Sequence, residues 1–287
     1  MRNHLLIWIG IALFWPTFLS AQNVKVISLD LGPDQPKDSL NHWKARQKGL
    51  PPLVRFHQVD VMAIQGAQAH HLEFAKNELR EYAALKPKME HPLPAEHTAL
   101  LYRKERFAPE QSGLFWLSLT PEEPSKGWDA RQKVTCTYAL LYDRMTESRF
   151  WVLATRLDAE GGKARAESLK LILSKIDAFN AGPDRYPVMV LGNLQCAPGD
   201  NSLLPFNEQM VDAGQLGEFA CYGPQGTYNN YQIEQSPGFD QKRDYVYCSR
   251  QGWVVERCAV LTDTYRGRPL SDHYPLFVEF RQIAAAY

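Results

Sequence analysis

The chain has 287 residues, 45% of them hydrophobic and 22% charged, with 32 basic side chains balanced by 32 acidic ones. That length and apolar content are enough to bury a large core, which excludes a disordered chain. Zero net charge excludes the global basic field that draws proteins to nucleic acid.

In chain order, residues 1–21 read as a signal peptide: a basic start, an apolar run, and a small-residue exit at Ser20-Ala21. The run is short for a membrane span and is broken by Pro16, so no transmembrane helix is expected after cleavage. No cysteine follows it to carry a lipid. The expected destination is therefore export, to the periplasm, the cell surface or the medium.

Residues 22–287 read as one domain without repeats or linkers. "NVKVISLDLG" is a strand with Val24, Val26 and Leu29 inward, and "SLNHWKARQKG" a short helix with a serine cap and a glycine stop. "VDVMAIQ" (59–65) is a continuous apolar strand, as in a sheet covered on both faces. "AHHLEFAKNELREYAAL" has helical periodicity, and "TALLYRKERF" and "GLFWLSLTP" are strands joined by a turn. "VTCTYALLYD" and "SRFWVLATRLD" form a hairpin around "RMTE".

The clearest helix lies at 164–179, where Leu169, Ile172, Leu173 and Ile176 share one face. "YPVMVLGN" returns as a strand, and "GTYNNY", "RDYVYCS", "WVVERCAVLTD" and "YPLFVEFRQ" follow as further strands. Five cysteines (136, 196, 221, 248, 258) show no metal spacing. In an exported chain they allow one or two disulfides, always with an odd number of thiols left over, though most read as small buried hydrophobes.

The order of "NHWKARQK", "DVMAIQ", "YRKERF", "SGLFWLS", "SKGWDA", "ARAESLKLIL", "GTYNNY", "RDYVYCS" and "LSDHYPLFVEF" resembles the endonuclease/exonuclease/phosphatase superfamily, in its secreted bacterial form. The resemblance spans nearly the whole chain after residue 21. It implies an α/β fold, a four-layered sandwich of two packed mixed β-sheets flanked by helices. It also implies phosphoester hydrolysis, in which a divalent cation polarises the phosphoryl group and a positioned water attacks.

Several site positions depart from that pattern. Where the family has an asparagine near the metal, this chain has Asp30, either a ligand with added charge or a turn cap. The metal-binding glutamate is replaced by Gly66, after Gln65; His70 and His71 stand just downstream as remote substitutes or as plain helix-surface residues. The phosphate-contacting histidine is replaced by Arg156, a candidate phosphate grip that cannot serve as an acid, or else a salt-bridge partner. The Gly-Asp-Phe-Asn loop is replaced by Gly192, Asn193, Leu194 and Gln195, whose two amides carry no charge for a cation.

Asp244, Asp272 and His273 match the family's catalytic positions. The resemblance makes His273 a general base or transition-state stabiliser, with Asp272 orienting it or touching the metal. A structural role, tying the last strand to the others, is the rival.

Losing one acid–base group costs about 10² to 10⁴ in rate, and four replacements in one pocket leave little of the ordinary mechanism. The expectation is a pseudoenzyme without a bound metal, keeping a binding or scaffold role. The alternative is an active phosphodiesterase or phosphatase holding magnesium or manganese on Asp30 and Asp272. A third reading is a surface module binding glycan, lipid or nucleic acid through Trp128, Tyr228 and Tyr231. The partner is open: a phosphate-bearing ligand fits the family, and no strong nucleic-acid signal is present.

Overall fold

The computed structural model describes residues 23–32, 41–86, 97–217 and 220–283. The signal-peptide reading of 1–21 and the serine cap at Ser39 lie outside them.

Two six-stranded mixed sheets pack face to face. The first comprises β1 (Val24–Asp30), β2 (Val61–Ala67), β3 (Tyr82–Ala84) and β4 (His97–Arg103), with β11 (Trp253–Val260) and β14 (Leu276–Gln282), in the order β11-β14-β1-β2-β4-β3. The second comprises β5 (Phe107–Trp116), β6 (Thr135–Asp143), β7 (Ser148–Arg156), β8 (Val188–Asn193), β9 (Met210–Asp212) and β10 (Asp244–Ser249), in the order β5-β6-β7-β8-β10-β9. A small hairpin, β12 (Thr264–Tyr265) with β13 (Arg268–Pro269), stands apart. Helices α1 (Trp43–Arg46), α2 (Leu50–Phe56) and α3 (Ala69–Glu78) accompany the first sheet; α4 (Gly162–Phe179) and α5 (Leu204–Gln209) accompany the second.

Three hydrophobic clusters separate these four layers. The central one, with Val26, Leu100, Phe150, Val152, Leu191 and Phe280, lies between the sheets. Ile27, Leu29 and Ile64 meet Trp43 and Leu53 outside the first sheet, and Trp151 and Tyr245 meet Leu169 and Ile172 outside the second. Side chains alternate faces along a strand, so Val24 and Val26 point inward while Leu29, of opposite parity, faces the helices.

Each sheet contains one parallel pair, β1 with β2 and β7 with β8. Open α/β sheets place their sites at the carboxyl ends of parallel strands. Asp30, Gln65, Arg156 and Asn193 stand at those four ends, in paired register.

Other expectations shift. The helix expected at 69–85 ends at Glu78, because Tyr82–Ala84 pair with β4 as an edge strand. The two strands expected at 98–107 and 113–121 are β4 and β5, which belong to different sheets rather than to one hairpin. "GTYNNY" is a loop joined to the last segment by a single bridge, Tyr228 to His273.

Candidate active site

At the end of β1 the carboxylate of Asp30 is fully buried. Its Oδ1 accepts the Gly32 backbone N–H at 2.8 Å, and its Oδ2 accepts the Asn193 amide at 2.7 Å. The Arg156 Nε lies 2.9 Å from the same Oδ2. Burial pushes the Asp30 carboxyl up, yet Arg156, His273 and these hydrogen bonds hold it below the ordinary carboxylate range. Of the two roles read for Arg156, the salt bridge to a carboxylate is the contact made.

Asn193 is fixed from both sides, since its Oδ1 accepts the Gln195 backbone N–H at 2.9 Å. Gln195 itself adopts a φ of +54°, the left-handed region that L-residues usually avoid. Gly192 allows the close approach of β7: a Cβ there would fall 2.0 Å from the Thr155 carbonyl oxygen.

Gly66 has φ +68°, and the β2–β4 register shifts between Ile64 and Ala67. Gln65 turns its amide inward, donating to Ser28 Oγ and the Ala63 carbonyl at 3.3 Å each. His71 is buried beside Trp43, and its Nδ1 accepts the Gln68 N–H that opens α3; His70 is exposed on the helix. Neither supplies the missing ligand.

Asp244 and His273 form a second cluster. His273 Nδ1 lies 2.7 Å from Asp244 Oδ2. Burial alone would lower the His273 pKa, but Asp244, Asp30 and Asp272 raise it to about 9, so the ring is cationic near neutrality. The aspartate that orients His273 is thus Asp244, and not the adjacent Asp272. Asp272 Oδ1 instead accepts the Ser271 hydroxyl at 3.0 Å, while its carbonyl takes the Asn229 and Asn230 N–H groups. The Thr227 hydroxyl, which the sequence reading missed, accepts the N–H of both Arg243 and Asp244 and seats the start of β10.

A cavity of about 200 Å³ opens beside Arg156, lined by Gly66, Thr98, Arg131, Lys133, Arg156 and Gln195 among others. Asp158 closes one side. Its carboxylate accepts backbone N–H groups from Arg131, Gln132, Glu160 and Gly161, joining the 131–132 loop to the start of α4. Sequence reading passed over this wall because its residues converge from separate segments of the chain. Trp128 lies in the loop whose Asp129 caps α4, Tyr228 packs 5.0 Å from the His273 ring, and Tyr231 lies under Arg46.

One atom from each of Asp30, Asp244 and His273 falls within 4.8 Å of the others; Asp272 stands outside this group. The donor set does not fit a divalent cation. Both Asp30 oxygens already accept N–H donors, and the Arg156 and His273 cations stand beside them. Asp244 Oδ1 alone among these carboxylate oxygens is buried without a hydrogen-bond partner, and Gly66 offers none. A hard dication needs several anionic or carbonyl oxygens to replace its water.

No family model and no curated protein matches the chain, but solved structures do. An endonuclease/exonuclease/phosphatase family protein from Bacteroides thetaiotaomicron superposes with TM-score 0.83 at 28% identity, over 90% of this chain and 97% of that one. A mannosyl-6-phosphatase from the same organism gives TM-score 0.83 at 28% identity, over 90% and 99%. The chain belongs to the endonuclease/exonuclease/phosphatase superfamily. The fold reaches further: the human Nocturnin catalytic domain superposes at TM-score 0.70 with 18% identity, over 91% of this chain and 95% of that one. Within the superfamily fold, Arg156 and Asn193 meet Asp30, and Asp244 meets His273, at one end of the sandwich.

Proposed function

We propose that this superfamily member is an exported pseudoenzyme, which has lost metal-dependent phosphoester hydrolysis and keeps a binding or scaffold role. The observation that carries this reading is the contact of Arg156 and Asn193 with Asp30. A guanidinium and an amide occupy the carboxylate that would otherwise face a cation. The signal-peptide reading of 1–21 and the Cys221–Cys258 disulfide support an oxidising, exported setting. No helix among the described residues is long and apolar enough to cross a membrane.

The test is turnover of mannose 6-phosphate and bis-p-nitrophenyl phosphate with magnesium or manganese, with calorimetry of metal binding beside it. We expect no turnover and no binding tighter than millimolar. Metal-dependent turnover that disappears in His273→Ala would overturn the reading.

A second reading, a working phosphoesterase with a rearranged site, draws on one feature. Asp30, Asp244 and His273 converge, and the Asp244–His273 pair is intact. The same assay decides between the two.

A further inference from the structure

We propose that the Cys221–Cys258 disulfide is a redox-sensitive latch on a strap, residues 221–231, that holds Asp244 against His273. The device goes beyond the loss of hydrolysis: it governs how the pair is held, whatever the cleft binds.

The pair spans two sheets. Asp244 opens β10 of the second sheet and His273 precedes β14 of the first, so neither sheet alone fixes their approach. The strap crosses between them. Its Thr227 is fully buried, and the hydroxyl accepts the N–H groups of Arg243 and Asp244 at 3.0 and 3.1 Å. The Thr227 carbonyl accepts the Tyr274 N–H at 2.7 Å. The Asp272 carbonyl accepts the Asn229 and Asn230 N–H groups, and the Asn229 amide donates to the Ser271 carbonyl. The strap thus grips the chain on both sides of His273 and at Asp244 itself.

Its leading end is held less firmly. Residues 221 and 223–226 lie in no helix or strand, and Tyr222, Gly223 and Gln225 are exposed. Among the described residues, two backbone hydrogen bonds, both at Tyr222, tie this stretch to β11 beside the disulfide. Cutting the S–S bond therefore lengthens the segment that can open and removes the crosslink that limits it. Cys221 and Cys258 are half-buried, and Cys258 lines a surface groove with Val254 and Tyr222, where a small dithiol can reach it. A thiolate of the dithiol attacks the Cys258 sulfur and displaces Cys221 as a thiolate, which takes up a proton. The second thiol then releases Cys258, and the dithiol leaves as a cyclic disulfide, having passed two electrons to the protein.

The experiment is hydrogen exchange on the folded full chain when oxidised, when reduced with dithiothreitol, and after reoxidation. Reduction is expected to expose Cys221 and Cys258 to Ellman's reagent without unfolding, once dithiothreitol is removed. In the first minutes of exchange it is expected to speed the Thr227, Asn229, Asn230, Asp244 and Tyr274 amides about tenfold. Strands β1, β2, β7 and β8 stay protected over those minutes in every state, and reoxidation restores the slow exchange. Cys221→Ser with Cys258→Ser is expected to exchange like the reduced protein and to ignore dithiothreitol. Thr227→Val, which removes the acceptor and keeps the disulfide, is expected to free the Asp244 amide in the oxidised protein. Where either variant fails to fold, the reduced and reoxidised wild type still decides. A disulfide that resists dithiothreitol in the folded protein would overturn the proposal. So would faster exchange confined to residues 220–224 and 256–260, or a loss of protection shared by all strands. None of these readouts uses a metal or a substrate, so they fail independently of the non-hydrolysing reading.

Discussion

An imidazole taken out of water favours its neutral form, and His273 reverses that preference only because carboxylates surround it. Its pKa rises to about 9, against about 6.5 for an unfolded histidine. The protonated pair with Asp244 therefore stabilises the fold fully below about pH 6.5, and the contribution is lost as pH rises through about 9. The unfolding free energy of wild type relative to His273→Gln is expected to fall by on the order of 3 kcal/mol across that window. Urea denaturation at a series of pH values measures it, and a difference independent of pH would show a neutral ring. Asp30 slopes the other way: its depressed pKa gives stability above the unfolded value near 3.9, lost as pH falls below it. The identity of these residues was legible as a pattern of matches and departures. Their partners were not, because Arg156 and Asp30 lie on different sheets, as do Asp244 and His273's segment, and no local spacing encodes such pairs.

At the scale of elements, strand parity and apolar runs located most of the sheets, whereas ends were decided by neighbours. Helix α2 was missed because Gly49 read as a stop, and Pro51 and Pro52 come just after it. They occupy the first turn of a new helix, where a missing N–H costs nothing. Gly192 shows how tightly the site strands are set. A Cβ added there would overlap the Thr155 carbonyl oxygen of the parallel neighbour, and both residues are buried. Gly192→Ala is expected to cost about 2–4 kcal/mol, as read by chemical denaturation. A loss below 1 kcal/mol would mean that β7 and β8 can separate without penalty. Gly66, at φ +68°, is the corresponding case in the first sheet, where backbone conformation rather than contact favours glycine.

For the molecule as a whole, the disulfide joins regions at the same side of both sheets. Cys221 lies beyond β9, an edge of the second sheet, and Cys258 lies on β11, an edge of the first. They are 37 residues apart in sequence. Replacing both by serine is expected to lower stability by about 3–4 kcal/mol on the chain-entropy account, measured by urea denaturation. Cys136, Cys196 and Cys248 are buried and unpaired, and burial pushes the thiols of Cys196 and Cys248 up to about 12. Three thiols should therefore resist Ellman's reagent until the protein unfolds. By itself the sequence determined the layered α/β architecture and the superfamily resemblance, because periodicity and residue type act locally along the chain. Only the tertiary structure decided which cysteines pair, that Asp244 orients His273, and that Arg156 neutralises Asp30. Those outcomes depend on distances between segments far apart in sequence, and electrostatic energy is fixed by distance and burial, not by order along the chain.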